Sequence, residues 1–188
     1  MRDLIQKRSL QTKLETRSAE NDELVIEGYF AVFNRETELW KGAFEVIAPE
    51  AFNNTLSNDI RALVNHDSMF VLGRNKASTL DLKVDTYGLW GRAKINANDS
   101  DAMNLYERVK RGDVDQCSFG FNIIKEDTEW RDDGTVKWTI REIDLHEVSV
   151  VTFPQYGDTG VQARHDQVEQ HKSRQIEQRK QQMKARLK

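Results

Sequence analysis

The chain has 188 residues, 38% of them hydrophobic and 31% charged, and a formal net charge of −3. That length suits one folded domain with a short extension: a core of roughly 150 residues buries about 68–70% of the unfolded surface and needs no covalent staples. The single cysteine, Cys117, excludes an internal disulfide framework and any multi-cysteine zinc site, and no apolar run approaches the roughly 18 residues of a membrane span.

The opening Met1-Arg2-Asp3-Leu4-Ile5-Gln6-Lys7 is charged and lacks an apolar stretch, so it does not read as a signal peptide. A soluble protein of a reducing compartment is expected. The first strong β signal is Leu24 to Phe33, with Gly28 marking a bulge or close packing. Phe44-Glu45-Val46-Ile47 predicts a shorter strand, and Pro49 opens a helical turn through Ala51, Phe52 and Leu56. Further strands are expected at 60–65, 70–73 and 79–84. After a turn at Asp85-Thr86-Tyr87-Gly88, Leu89, Gly91, Ala93 and Ile95 alternate with polar or large residues. One helix is clear. Asp99 or Ser100 can cap it, Ala102, Tyr106 and Val109 share a stripe, Arg108, Lys110 and Arg111 favour its C-terminal end, and Gly112 stops it. Strands at 115–125 and 136–153 follow, separated by a hairpin turning at Asp132-Asp133-Gly134. Many short strands with one or two helices predict a barrel-like β fold with helices outside.

From Gln162 to Lys188, eight Lys/Arg against three acids give +5, which leaves −8 of the total −3 for residues 1–161. The division expected is therefore a folded domain over 1–161 and a basic Gln/Lys/Arg-rich tail over 162–188, helical or disordered. A basic arm can touch phosphates, but the acidic body argues against a nucleic-acid partner.

Three segments carry side chains suited to chemistry. In Asp115 to Ile123 the period of two sends Cys117, Phe119, Phe121 and Ile123 to the core and Ser118 to the other face, beside Gln116, Gly120 and Asn122. A serine next to a glycine on its own face suits a nucleophile or an ordinary solvated strand equally; Cys117 reads as packing. Asn65-His66-Asp67 ends a strand, where an imidazole can act as a base near neutral pH or simply bond locally. His66 and His146 are the histidines outside the tail, too few for a histidine zinc site, so no metal or cofactor is expected. In Ile143 to Phe153, strict alternation puts Glu147 on one face with Ile143, Leu145 and Val151, and His146 on the opposite face. A carboxylate among apolar neighbours needs a partner: an imidazole, or an arginine such as Arg61 or Arg92.

Taken in order, Gly28-Tyr-Phe-Ala-Val-Phe-Asn34, Glu45-Val-Ile-Ala-Pro-Glu-Ala-Phe52, Asn65-His66-Asp67, Leu72-Gly73, Gly88-Leu89, Ser118-Phe119-Gly120-Phe121 and Leu145-His-Glu-Val-Ser-Val-Val-Thr-Phe-Pro154 resemble the prohead (capsid maturation) proteases of HK97-type tailed bacteriophages. The resemblance spans roughly residues 24–160. It implies a fold similar to the herpesvirus assemblins, a closed or partly open β-barrel wrapped by a few helices. It also implies a serine endopeptidase with His66 as general base, Ser118 as nucleophile and Glu147 as third member. His146 stays open as the alternative third member, because the herpesvirus relatives have a histidine there. The loop 154–161, with two glycines, is the expected source of oxyanion-hole amides.

The implied substrates are a scaffolding protein or the scaffold-like part of a major capsid protein, and the enzyme itself, inside a phage prohead in the host cytoplasm. On this reading the tail is a packaging or self-cleaved segment, and a homodimer is open as a further partnership. The competing reading is a non-catalytic β-barrel head-assembly protein whose serine and histidine are ordinary surface residues.

Overall fold

The computed structural model describes residues 5–10, 14–18, 23–153 and 158–186. In chain order the strands are β1 (Gln6–Leu10), β2 (Glu15–Ser18), β3 (Leu24–Val32), β4 (Thr37–Trp40), β5 (Ala43–Ile47), β6 (Arg61–Val64), β7 (Asp67–Arg74), β8 (Leu80–Val84) and β9 (Gly88–Lys94). Helix α1 (Ser100–Arg111) follows, then β10 (Gln116–Trp130), β11 (Val136–Val151) and helix α2 (Asp158–Arg186). The fold is mainly β with two α-helices, and no helix among the described residues is long and apolar enough to cross a membrane.

Of the closed or partly open barrel expected, no closed barrel is found: among the described residues the strands pair into two separate sheets. The smaller sheet is antiparallel, in the order β2-β3-β9-β8. The larger sheet branches because β11 is long. One edge of β11 pairs antiparallel with β10; the other carries β5 in parallel along Val136–Ile140 and then β6 in parallel along Glu147–Val150. The two sheets meet over a core that joins Ile26, Phe30, Leu89 and Ala93 to Phe119, Phe121, Ile143, Leu145, Val148 and Val150. Helix α1 adds Ala102, Leu105, Tyr106 and Val109 to it. Its first turn is capped by Asp99, whose side chain accepts from the amides of Asp101 and Ala102, and it ends at Gly112 with φ +86°, the left-handed conformation that glycine adopts without Cβ strain.

Three strands, β1, β2 and β4, have no counterpart in the sequence expectation. β1, reading Gln-Lys-Arg-Ser-Leu, pairs antiparallel with β10 in the register Arg8↔Phe119 and Ser9↔Ser118. The expected strands at 60–65 and 70–73 also turn out to be one hairpin, β6 and β7, joined by Asn65 and His66 alone.

A buried ionic cluster fastens β1. Arg8 Nε donates to Glu45 Oε1 at 2.6 Å and its Nη2 to Glu45 Oε2 at 2.8 Å. Arg164 of α2 donates to the same Oε2 and, at 2.5 Å, to Glu126. Helix α2 is thereby held at its beginning, with Val168 buried beside Trp138 and Ala43 and His171 stacked on Trp130. Burial opposes charge on Glu45, but the guanidiniums of Arg8 and Arg164 outweigh it and hold its carboxyl below the ordinary value. A depressed folded-state pKa contributes stability above the unfolded value, and that contribution is lost as pH falls through the folded one. Urea midpoints measured from about pH 5 down to about pH 3 should therefore fall more steeply in the wild type than in Glu45→Gln. Parallel acid profiles would refute the assignment.

Candidate active site

Alternation along β11 does not run straight through. Phe121 pairs with Leu145 but Gly120 with Glu147, so His146 is one extra residue, a β-bulge. The bulge reverses the alternation. Leu145 and Val148 both face the main core, and Glu147 turns to the opposite face. Glu147 is thus not a carboxylate on the core face, as uninterrupted alternation would have it. It stands over Gly120, where a Cβ would lie 2.3 Å from Glu147 Oε1. Only a residue without a side chain leaves room for that carboxylate.

Across the three central strands, Ser118, Ser149 and Leu63 form one row, and Gly120, Glu147 and Arg61 the next. His66 reaches this face from the β6–β7 turn. Both turn residues have positive φ, +50° at Asn65 and +61° at His66, as a two-residue type I′ hairpin requires. Asn65 is fixed from both sides: its amide donates to the Val150 carbonyl and its Oδ1 accepts from the Thr152 amide, each at 2.9 Å. A non-glycine residue in the left-handed region is strained by roughly 1–2 kcal/mol. His66→Gly should therefore be more stable than His66→Ala by about 1 kcal/mol in chemical denaturation, since both lose the imidazole and only one keeps the strain. Equal stabilities would show that the turn carries no such strain.

The imidazole meets Glu147. His66 Nδ1 lies 2.6 Å from Glu147 Oε1, and the His66 side chain is 2% exposed. Ser149 ties the pair together: its hydroxyl donates to Glu147 Oε2 at 2.6 Å and accepts the His66 backbone N–H at 3.2 Å. A carboxylate only accepts, so Nδ1 carries a proton, and in the neutral imidazole Nε2 is then the acceptor, the tautomer a general base needs. Nε2 is buried and has no hydrogen-bond partner among the described residues.

The structure thus brings His66 and Glu147 together, and the arginines weighed as partners for Glu147 go elsewhere, Arg61 to Asp59 and Arg92 to Glu23 and Glu27. His146 lies 3.9 Å from Asp144 and makes no hydrogen bond to His66. Ser118 is fully buried, and its hydroxyl donates to the Arg8 carbonyl at 2.8 Å. Cys117 is buried on the core face, its thiol donating to the Tyr29 carbonyl. In the loop expected to supply oxyanion-hole amides, Pro154 to Gly157 lie outside the described residues, and Asp158 to Val161 begin α2. No group of three or more His, Cys, Asp or Glu placed to hold a metal occurs among the described residues. Ser149 was not singled out by the sequence; its place two residues beyond a carboxylate on one strand face was the available signal.

The chain is 31% identical over 142 residues to the prohead protease of Enterobacteria phage HK97, which covers 74% of this chain and 59% of that protein. It is 32% identical over 104 residues to the prohead protease of Escherichia phage T5, covering 55% of this chain and 45% of the relative. The chain therefore spans about half to three-fifths of the length of these relatives. Among solved structures it is similar to the bacteriophage T4 capsid assembly protease, at 12% identity with a TM-score of 0.44, over 78% of this chain and 98% of that one. The family model described as caudovirus prohead serine protease matches residues 12–174, and this chain belongs to that family.

Proposed function

We propose that the chain is a serine endopeptidase that cleaves capsid or scaffolding proteins, and itself, during maturation of a phage prohead in the host cytoplasm. Ser118 is the nucleophile, His66 the general base and Glu147 the carboxylate that orients it. The observation that carries the reading is the 2.6 Å contact between His66 Nδ1 and Glu147 Oε1, with Nε2 left without a partner among the described residues.

In the reaction, Ser118 Oγ bonds to the scissile carbonyl carbon as its proton passes to His66 Nε2. The proton then goes to the leaving amine as the C–N bond breaks, and water repeats the sequence on the acyl-enzyme. The Glu147 carboxylate, held by the Ser149 hydroxyl, stabilises the imidazolium formed in each half. No residue of this scheme calls for a metal or cofactor.

A second reading, a non-catalytic head-assembly protein, is favoured by one observation: the Ser118 hydroxyl is buried against the Arg8 carbonyl instead of resting on His66. Intact-mass analysis separates the two. Wild type and Ser118→Ala are each co-expressed with the capsid and scaffolding proteins of the same phage. Defined truncations of partner and protease in the wild type, absent from Ser118→Ala, are the expected result. Identical processing in both would remove Ser118 from the mechanism, and no processing in assembled heads would favour the structural reading.

A further inference from the structure

Two polar groups on the active-site face are mismatched. His66 Nε2 is buried with no partner among the described residues, while the Ser118 hydroxyl, in the neighbouring row, is turned onto the carbonyl of Arg8. A buried polar atom left unpaired is unfavourable by about 1–3 kcal/mol, and rotation about one Ser118 bond would turn the hydroxyl away from Arg8 towards that face. What holds it back is β1, which lies along β10 with Ser9 opposite Ser118.

β1 contributes two kinds of interaction. Its ladder to β10 is backbone pairing that any extended peptide can supply, the mode by which peptides add to a sheet edge. Its side-chain anchor belongs to this segment alone: Arg8, 5% exposed, forks onto both oxygens of Glu45 and sits 5.8 Å over the Phe121 ring. If Arg8 leaves, Glu45 keeps Arg164, so departure of the strand does not strand a buried carboxylate, the outcome that makes breaking most buried ion pairs so unfavourable.

We propose that β1 is a self-supplied occupant of the place where a substrate's extended backbone binds along β10, and that Ser118 is inactive until the strand leaves. The proposal rests on Ser118 being the nucleophile. The ligand of the vacated edge is an extended peptide segment paired antiparallel to residues 117–121, its carbonyl taking the position that the Arg8 carbonyl now holds.

The test is the rate at which a fluorophosphonate probe labels Ser118 in the full chain, mapped by peptide mass spectrometry. Arg8→Ala should label at least tenfold faster than wild type. Arg164→Ala, which removes the other partner of Glu45 and leaves β1 anchored, should label no faster than the wild type. Equal labelling of Ser118 in wild type and Arg8→Ala would overturn the role of the strand and leave the nucleophile intact. Absence of label on Ser118 in every variant would overturn the nucleophile itself. Should Arg8→Ala fail to fold, Leu10→Cys provides a lock, because residue 10 stands directly opposite Cys117, within the span a disulfide bridges. Labelling of Ser118 should stop on oxidation of that variant and return on reduction; labelling indifferent to oxidation would overturn the proposal.

Discussion

Replacing Glu147 by glutamine is expected to lower peptide-bond cleavage by about 10⁴-fold, the loss seen when the carboxylate of a serine-protease triad becomes an amide. The surrounding hydrogen bonds dictate the direction. Ser149 Oγ accepts the His66 N–H and donates its own proton to Oε2 of residue 147. A glutamine must therefore offer its carbonyl oxygen to Ser149 and turn its NH₂ group towards His66 Nδ1. Facing a donor, Nδ1 becomes the acceptor and the ring proton moves to Nε2, where it blocks uptake of a proton from Ser118. Size and shape are nearly unchanged, so the thermal midpoint should move far less than the rate. The check is the cleavage rate of the co-expressed capsid or scaffolding protein together with a melting curve. A Glu147→Gln variant within tenfold of wild type would remove the carboxylate from the mechanism. Ser149→Ala should recover part of the activity of Glu147→Gln, because it releases the glutamine to present its oxygen to His66.

The second large effect is expected at a residue with no functional group. Gly120→Ala places a methyl 2.3 Å from Glu147 Oε1 and within 3.2 Å of two further atoms of that side chain, so the carboxylate must move by an ångström or more. Misplacement on that scale lowers catalysis by about 10²-fold even when every reactive group is present, and overpacking adds about 1–3 kcal/mol of destabilisation. Cleavage should fall at least 10²-fold, and the double variant Gly120→Ala/Glu147→Gln should be scarcely slower than Glu147→Gln, since both act on the same carboxylate. Additive losses would mean that Gly120 works by some route other than room for Glu147.

The amino-acid pattern revealed the strands whose residues alternate against the core, the capped helix from Ser100 to Arg111, and His66 and Glu147, which meet in the structure. It also assigned Glu147 for a reason the structure does not support. Period-two counting presumes an unbroken ladder, and one extra residue at His146 reverses every face beyond it; nothing in Leu-His-Glu-Val marks a bulge, because the bulge is set by pairing with β10. β1 was invisible for a related reason. Gln-Lys-Arg-Ser carries no alternation, and its burial comes from Glu45, 37 residues away in the chain, a pairing that only the tertiary fold creates. The turn at Asn65-His66 read as a loop because tight hairpins of this type usually announce themselves with glycine, and here an imidazole occupies the left-handed position.

Glu45 on β5 receives Arg8 from β1 and Arg164 from α2, so one carboxylate fastens β1 at one end of the fold and α2 at the other. The two ends are consequently linked in free energy. Once either guanidinium departs, by strand release at one end or by a cut before residue 164 at the other, the remaining one alone balances a buried negative charge and is gripped more tightly. Loss of one contact then strengthens the other: whichever of β1 and α2 is released first, the second is harder to release.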